Sequence, residues 1–396
     1  MSSTRIMIVA AGRHQAPLIR KAKAMGYEVL ATDSSGDAPS LPLADHRAIV
    51  NARDIDGLLK VARTYQPKAI LSEQTDVAVP AVAHVAELLG LPGIGYRTAI
   101  MATDKWEMRE ACRRAGLSMP KYRLATSSEE AMAAALDIGL PVVIKPTDNQ
   151  SSRGVTKVSD IALLADAARR AASASQSGRI IVEELMVGVE SSIESFVIGD
   201  SVTVLGISEK IKCAPPYSFD LQLIYPAAFS PELTDEIKSL NRGVIDALGI
   251  RMGFAHAEIM ITSQGPRLIE IAARGCGARI ATNLLPELTG VDLLELRLRQ
   301  ALGEVVQMPT IRTDLFGICR FFDFKPGAVR HVGSKQEAAS IDGVVHLDFD
   351  LKVGDRLQPA ISGDQRPGFV LAKANSRARV IEIADEVTRV LAVDMV

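Results

Sequence analysis

The sequence predicts an α/β protein: a parallel-sheet unit first, a second α/β stretch after it, then a strand-rich core and an α+β tail. Three observations carry that prediction. Short apolar runs alternate with helical patterns over about the first 90 residues. The turn-rich stretch Leu-Gly-Leu-Pro-Gly-Ile-Gly at 89–95 marks a boundary. From about residue 179 to 272 strands dominate, and they end in a hairpin.

Composition bounds the rest. The chain has 396 residues, with 45 Lys+Arg against 47 Asp+Glu and a formal charge of -2. That balance argues against a general nucleic-acid binder, which needs a basic excess. Apolar residues at 47% and charged residues at 23% are those of a globular protein, which argues against disorder. The length suits roughly two to four domains. No apolar run approaches the ~20 residues that span a bilayer, and the opening run Ile6 to Ala11 is too short for a signal peptide. Cys112, Cys213, Cys276 and Cys319 lie far apart with no CxxC, which suits a reduced cytoplasm better than a disulfide framework or a zinc site.

In order along the chain, 5–10 reads as a buried strand with Gly12 in the turn after it, and 16–25 as a helix. A second strand at about 28–31 ends at Asp33, which either binds a ligand or caps its loop. A helix near 55–65, an apolar run at 69–71 and a helix from about 76 to 89 follow. This resembles half of a dinucleotide-binding domain, but the first turn has one glycine where G-x-G-x-x-G is required, so a scaffold role is favoured over nicotinamide binding. Next come helices at 105–115 and 128–138, a strand at 141–145, a helix at 160–172, a loop at 172–178 and a strand at 179–184. An amphipathic helix is expected at 291–302, and the tail from about 310 ends in a helix near 376–391.

The strongest chemical signal is the hairpin 254–262 and 267–273. Ala255, Ala257, Ile259 and Ile261 share one face, as do Ile269 and Ile271, and those faces suit a core. The opposite face holds His256 and Glu258, with Glu270 and Arg274 across from them. A turn centred on Gln264 pairs Glu258 with Glu270. Like charges directly opposite cost stability, and a divalent cation reverses that cost; hard oxygen ligands suit Mg²⁺. The alternative is two solvated carboxylates flanking an arginine. Arg274 either stabilises a developing oxyanion or forms a salt bridge with these glutamates. His256 either orients a carboxylate, touches substrate or is structural.

Two further segments stand out. Lys145 ends a strongly apolar strand, where its amine needs an anion. The small, polar loop 148–155, with Gly154, lets backbone N–H groups approach phosphates, although it is not a Walker motif. The run 180–190 carries Glu183, Glu184, Gly188 and Glu190. It can form a hinge for a flat base, with the Glu183 carboxylate or a backbone carbonyl accepting from the base, the next N–H donating, and Glu190 on ribose hydroxyls. Otherwise it is an exposed strand end.

Thr-Asp-Lys (103–105), Val-Ile-Lys-Pro (143–146), the Ser-Ser-Arg-Gly loop, Glu-Glu-Leu with Gly188 and Glu190, Glu258, and Glu-Ile-Ala-Ala-Arg (270–274) occur in an order that resembles the ATP-grasp superfamily over nearly the whole chain. The last motif, with His-Ala-Glu upstream and Tyr-Pro-Ala at 225–227, looks most like the carboxylate–amine and L-amino-acid ligase branch. That resemblance implies an N-terminal pre-ATP-grasp α/β domain over 1–100, an ATP-grasp domain over 101–305 with a mobile lid at about 116–184, and a C-terminal domain over 306–396. It implies ATP with Mg²⁺ (or Mn²⁺) as cofactors and a homodimer. Lys105, Lys145 and Lys210 would reach phosphates, and Ser151, Ser152, Arg153 and Gly154 would cover them. Glu183, Glu184 and Leu185 would lie at adenine, Glu190 at ribose, and Glu258 and Glu270 at the metal; Arg274, Lys145 and His256 would be catalytic. Ala272 stands where many members carry a metal-ligating Asn.

The activity so implied is joining a carboxylate to an amine through an acyl phosphate, with release of ADP and phosphate. Small molecules, rather than nucleic acid or membrane, are the expected partners. A formate- or bicarbonate-activating ligase and a non-catalytic ATP-binding protein are the rivals. Substrate-contact candidates are 72–76, 210–219, His256 and 275–279, with Lys210, Lys212 and Arg279 as cations that bind an anion or face solvent.

Overall fold

Strand Arg5–Val9 (β1) is apolar along its length because both of its faces are covered. Ile6 and Ile8 join one core with Leu18 and Ile19, while Met7 and Val9 join another with Leu58 and Val85. The computed structural model describes residues 4–150, 153–214 and 219–396. In it β1 is flanked by Glu28–Asp33 (β2) and Ala69–Leu71 (β4), with His46–Ile49 (β3) at the edge; the order is β3-β2-β1-β4 and every pairing is parallel. Strand β3 escapes the sequence reading because His46, Arg47 and Ile49 are exposed and show no apolar alternation. Helices Ala16–Ala24 (α1), Ile55–Tyr65 (α2) and Val79–Leu88 (α3) complete this part, and Asp54 caps α2.

Two helices follow, Tyr96–Thr103 (α4) and Lys105–Arg114 (α5). Asp104 ends the first and caps the second, accepting from the Trp106 and Glu107 amides. Next is a four-stranded antiparallel sheet of Tyr122–Ala125 (β5), Val142–Pro146 (β6), Thr156–Val158 (β7) and Ile180–Glu184 (β8), in the order β5-β8-β6-β7. Helices Ser128–Ile138 (α6) and Leu164–Ala174 (α7) bury alanines and Leu164 against Val142, Ile144, Ile180 and Val182. Strand Val189–Ile198 (β9) pairs with Met252–Thr262 (β10), which pairs with Gly265–Ala272 (β11), all antiparallel. Helices Pro231–Leu248 (α8) and Leu293–Ala301 (α9) belong to the same compact unit, which comprises 1–204, 230–277 and 293–308.

The second unit comprises 205–229, 278–292 and 309–396. Its strands Asp220–Tyr225, Phe316–Phe321, Gly368–Ala374 and Val344–Phe349 are hydrogen-bonded in that order. Helix Arg377–Leu391, capped by Ser376, closes a core of Ile318, Phe349, Val370, Ile383 and Val387. Among the described residues no helix is long and apolar enough to cross a membrane, and no disulfide joins the four cysteines.

Candidate active site

The hairpin β10–β11 places Glu258 directly opposite Glu270. The turn is the two residues Ser263 and Gln264, since Thr262 pairs with Gly265. Continued without interruption, that register would set Ile269 against Glu258. Instead Ile259 pairs with Leu268, and Ile269 is the extra residue of a bulge. The bulge corrects the expected core face: Leu268 and Ile271 are buried, whereas Ile269 is half-buried. Its carbonyl accepts from Arg109 Nη2 at 2.6 Å.

The face carrying Glu258 continues across β9. Ser192 is paired with Glu258, Glu194 with His256 and Glu190 with Met260, so Glu190 shares the face of the metal-ligand candidates. His256 Nδ1 lies 2.8 Å from Glu194 Oε1, and its Nε2 lies 3.8 Å from Glu258 Oε1. Burial works against its positive charge, but Glu194 outweighs that and raises the imidazole pKa. His256 therefore bridges two carboxylates.

Lys145 does meet an anion, and that anion is Glu183, 2.7 Å away. Glu183 also accepts from Arg109 Nε at 2.8 Å. Both Glu183 and Arg109 are fully enclosed. Burial alone would raise the Glu183 pKa, but Arg109 and Lys145 overcome it and hold the carboxyl at about 2. This corrects the expected adenine contact: the Glu183 carboxylate is committed to two cations. The Leu185 amide is likewise taken, donating to the Pro141 carbonyl at 3.2 Å. Glu184 accepts from Arg267 at 3.0 and 2.9 Å and from the Lys121 amide at 3.1 Å. Arg109 was missed, though its signal was present. It falls on the buried stripe Lys105, Met108, Arg109, Cys112 of α5, where an arginine calls for a buried partner.

Lys105 Nζ donates to the Asn149 carbonyl at 2.6 Å and lies 3.6 Å from Glu270 Oε2. Burial pushes the Glu270 pKa up, but Lys105 and Lys145 outweigh it and the carboxyl ends below its ordinary value. Glu270 is thus ionised at neutral pH, as a hard-cation ligand must be. Ser151 and Ser152 lie outside the described residues. Arg153 is exposed, its Nε donating to the Gln150 carbonyl at 3.2 Å. Gly154 has φ +76°, and a Cβ there would come within 2.6 Å of the Ala174 Cβ. This glycine answers a steric demand inside the β6–α7 packing.

Arg274 does not pair with the glutamates. Its Nε and Nη2 bind the two oxygens of Asp76 at 2.8 and 2.6 Å, and its Nη1 donates to the Gly275 carbonyl. Burial opposes its charge, but Asp76 outweighs this and raises its pKa. The Asp76 amide donates to Gln150 Oε1 at 3.0 Å. Glu73, also in the 72–76 stretch, is buried and binds Arg297 and the Gly275 amide. Asp33 accepts from the Ser35 amide at 3.0 Å, the loop-capping alternative. Lys210 and Lys212 belong to the second unit, where they lie 3.5 and 3.7 Å from Asp220. Arg279 belongs there too, in left-handed backbone.

Beside Lys105 and Glu270 opens a cleft of about 290 Å³, walled by Asp76, Gln150 and apolar side chains of α2, α3 and α4. Residues 138–283 match the ATP-grasp domain family, and residues 320–396 match L-amino acid ligase C-terminal domain 2. The likeness to an ATP-grasp domain thus spans residues 138–283. Formate-dependent phosphoribosylglycinamide formyltransferase of Escherichia coli is 26% identical over 399 residues, covering 97% of this chain and 95% of that protein. The uncharacterized protein y4rH of Sinorhizobium fredii is 27% identical over 307 residues, or 75% of this chain and 62% of the relative's length. The L-amino acid ligase of Bacillus licheniformis superposes with a TM-score of 0.85 at 22% identity, covering 100% and 99% of the two chains. That likeness is one of fold.

Proposed function

We propose that this ATP-grasp protein is an ATP-dependent carboxylate–amine ligase that forms an amide or peptide bond through an acyl phosphate. The observation that carries the reading is the pairing of Glu258 with Glu270, with Lys105 3.6 Å from the latter. Two carboxylates face to face beside a lysine suit a metal that also grips phosphates. Glu258 and Glu270 would hold Mg²⁺ (or Mn²⁺), which supplies charge neutralisation at the transferring phosphoryl group. Ala272 offers no ligand atom, so Glu270 serves alone from its strand.

In the first half-reaction an acid's carboxylate oxygen bonds to the γ-phosphorus and the bond to ADP breaks. Lys105 and Lys145 hold the phosphate oxygens, and Glu183 keeps the Lys145 amine aimed. In the second, the amine nitrogen bonds to the acyl carbon, phosphate leaves and the nitrogen loses a proton. Arg274, held in place by Asp76, steadies the tetrahedral oxyanion. His256 orients Glu258. With Glu183 committed elsewhere, the base falls to the backbone of the hinge after β8, and the ribose to Glu190. The loop at 148–155 would cover the phosphates and keep water from the acyl phosphate. A homodimer in a reducing, cytoplasmic setting belongs to the same proposal, supported by the resemblance.

The test is phosphate release from MgATP across a matrix of amino acids and sugar acids against amines, with products read by mass spectrometry. ADP formation that depends on both partners, and its loss in Glu270→Ala, is the expected result. Failure of every mixture, or full turnover by Glu270→Ala, rejects the reading. The near-complete alignment with the E. coli formyltransferase favours formate activation as a second reading. Formate with a ribonucleotide amine in the same assay separates the two.

A further inference from the structure

We infer that the cleft beside Lys105 and Glu270 receives the acid substrate, and that this acid is a monocarboxylate with an apolar body and no ammonium group beside its carboxylate. The inference rests on the ligase reading above. Its volume of about 290 Å³ is at the lower end of pockets for small organic molecules, ~300–1,000 Å³. Formate would leave most of it empty.

The two ends of the cleft differ in chemistry. Half-buried Ile55, Val77, Pro80 and Ile100 give it an apolar side. Lys105 and Glu270 form the other, and that end adjoins the transferring phosphoryl group if Glu270 holds the metal. An acid seated carboxylate-first would present an oxygen to the γ-phosphorus and bury its hydrocarbon against the four apolar residues.

The remaining charges decide against an amine or a zwitterion. Asp76 is engaged by both arms of Arg274. Asp104 caps α5. Asp148 accepts from Ser175 and from the Gln176 and Ser177 amides, which lower its pKa although burial opposes them. Glu270 is the metal candidate. Arg53, at the rim, meets the Gln176 amide once that amide is turned oxygen-first, at 2.9 and 2.6 Å. An ammonium entering this cleft would find each of these wall carboxylates already engaged, and would lose its hydration without replacement.

Hydroxylamine traps acyl phosphates: its nitrogen bonds to the acyl carbon, phosphate leaves, and a hydroxamate forms whatever the natural amine is. The full-length protein with MgATP and hydroxylamine is offered formate, 4-methylpentanoate, 3-phenylpropanoate and L-phenylalanine. The expected result is hydroxamate from the second and third acids at a kcat/KM roughly tenfold or more above the other two. Ile55→Trp, filling the cleft from its rim, raises the KM for 3-phenylpropanoate roughly tenfold or more and leaves the KM for ATP within about twofold. Val77→Phe does the same from the other wall, should the first variant fold poorly. Preference for formate or L-phenylalanine overturns the assignment, as does hydroxamate formation that neither variant disturbs; in both cases the ligase reading stands. If no acid yields ADP or hydroxamate, the ligase reading falls. The cleft is then judged by saturation-transfer NMR of 3-phenylpropanoate: a signal lost in Ile55→Trp upholds it, and no signal removes it.

Discussion

Arg274 and Asp76 are joined by two parallel hydrogen bonds of 2.8 and 2.6 Å across 198 positions of sequence. A planar fork on a carboxylate fixes the guanidinium in direction as well as place. Both side chains are mostly buried, so cutting the pair strands a charge, a loss of about 3–5 kcal/mol. Asp76→Asn is expected to lower kcat by about 10²-fold while the ATP Kd, measured by calorimetry, stays within about twofold. Arg274→Lys should match it in kcat, because lysine cannot make the paired contact. A change in ATP binding with kcat preserved would contradict the positioning role.

Glu183 gives the protein a pH-dependent stability. Its folded-state pKa of about 2 lies below the ordinary value of 4.5. A depressed carboxyl pKa stabilises the fold above the unfolded-state value, and the benefit fades as pH falls toward the folded-state value. Denaturant unfolding of the wild type should therefore lose stability between about pH 4.5 and 2. Glu183→Gln should be weaker at neutral pH by about 3–5 kcal/mol, with Arg109 and Lys145 left uncompensated, and should show a flatter slope in the acid window. Parallel pH profiles for the two proteins would contradict this.

The glutamate pair predicts a metal signature independent of turnover. With nucleotide and Mg²⁺ at about 100 times their Kd, the wild type should gain about 2.7 kcal/mol of stability, seen as a rise in Tm. Glu258→Gln and Glu270→Gln should each lose the Mg²⁺-dependent part of that rise and retain their melting without ligand. An unchanged Mg²⁺ response in both would remove the metal assignment.

Gly154 and Gly178 separate crowding from backbone strain. Both have positive φ, +76° and +72°, but a Cβ at Gly154 meets Ala174 at 2.6 Å, whereas at Gly178 nothing lies within 4 Å. Gly178→Ala should cost about 1 kcal/mol, from φ alone. Gly154→Ala should cost at least about 1–3 kcal/mol more, since packed neighbours must move. Thermal melts of the two variants side by side check the difference.

The pairing of Glu258 with Glu270 was legible because a hairpin is local: turn position and a period of two set which residues oppose. Placing the turn's centre at Gln264 reached the right pair by a route the chain does not take. The turn is two residues, and the bulge at Ile269 supplies the missing step. A bulge leaves little trace in composition, so the inward face of β11 was misassigned by one residue. The end of strand β8 was recognisable from its paired acids. That Glu183 serves Lys145 and Arg109 was not, because Arg109 comes from a helix 74 positions earlier.

The amino-acid order alone determined several helices and strands, though not helix Pro231–Leu248 inside the stretch read as strand-rich, and it determined the facing glutamates and the need for an anion at Lys145. Each of these follows from backbone periodicity or from the cost of burying a charge, both of which act within a few residues. Only the folded chain decided which anion Lys145 meets, that Asp76 holds Arg274, and that a cleft opens beside Lys105 and Glu270. Those are contacts between segments distant in sequence, chosen by the packing of sheets and helices that no local pattern encodes.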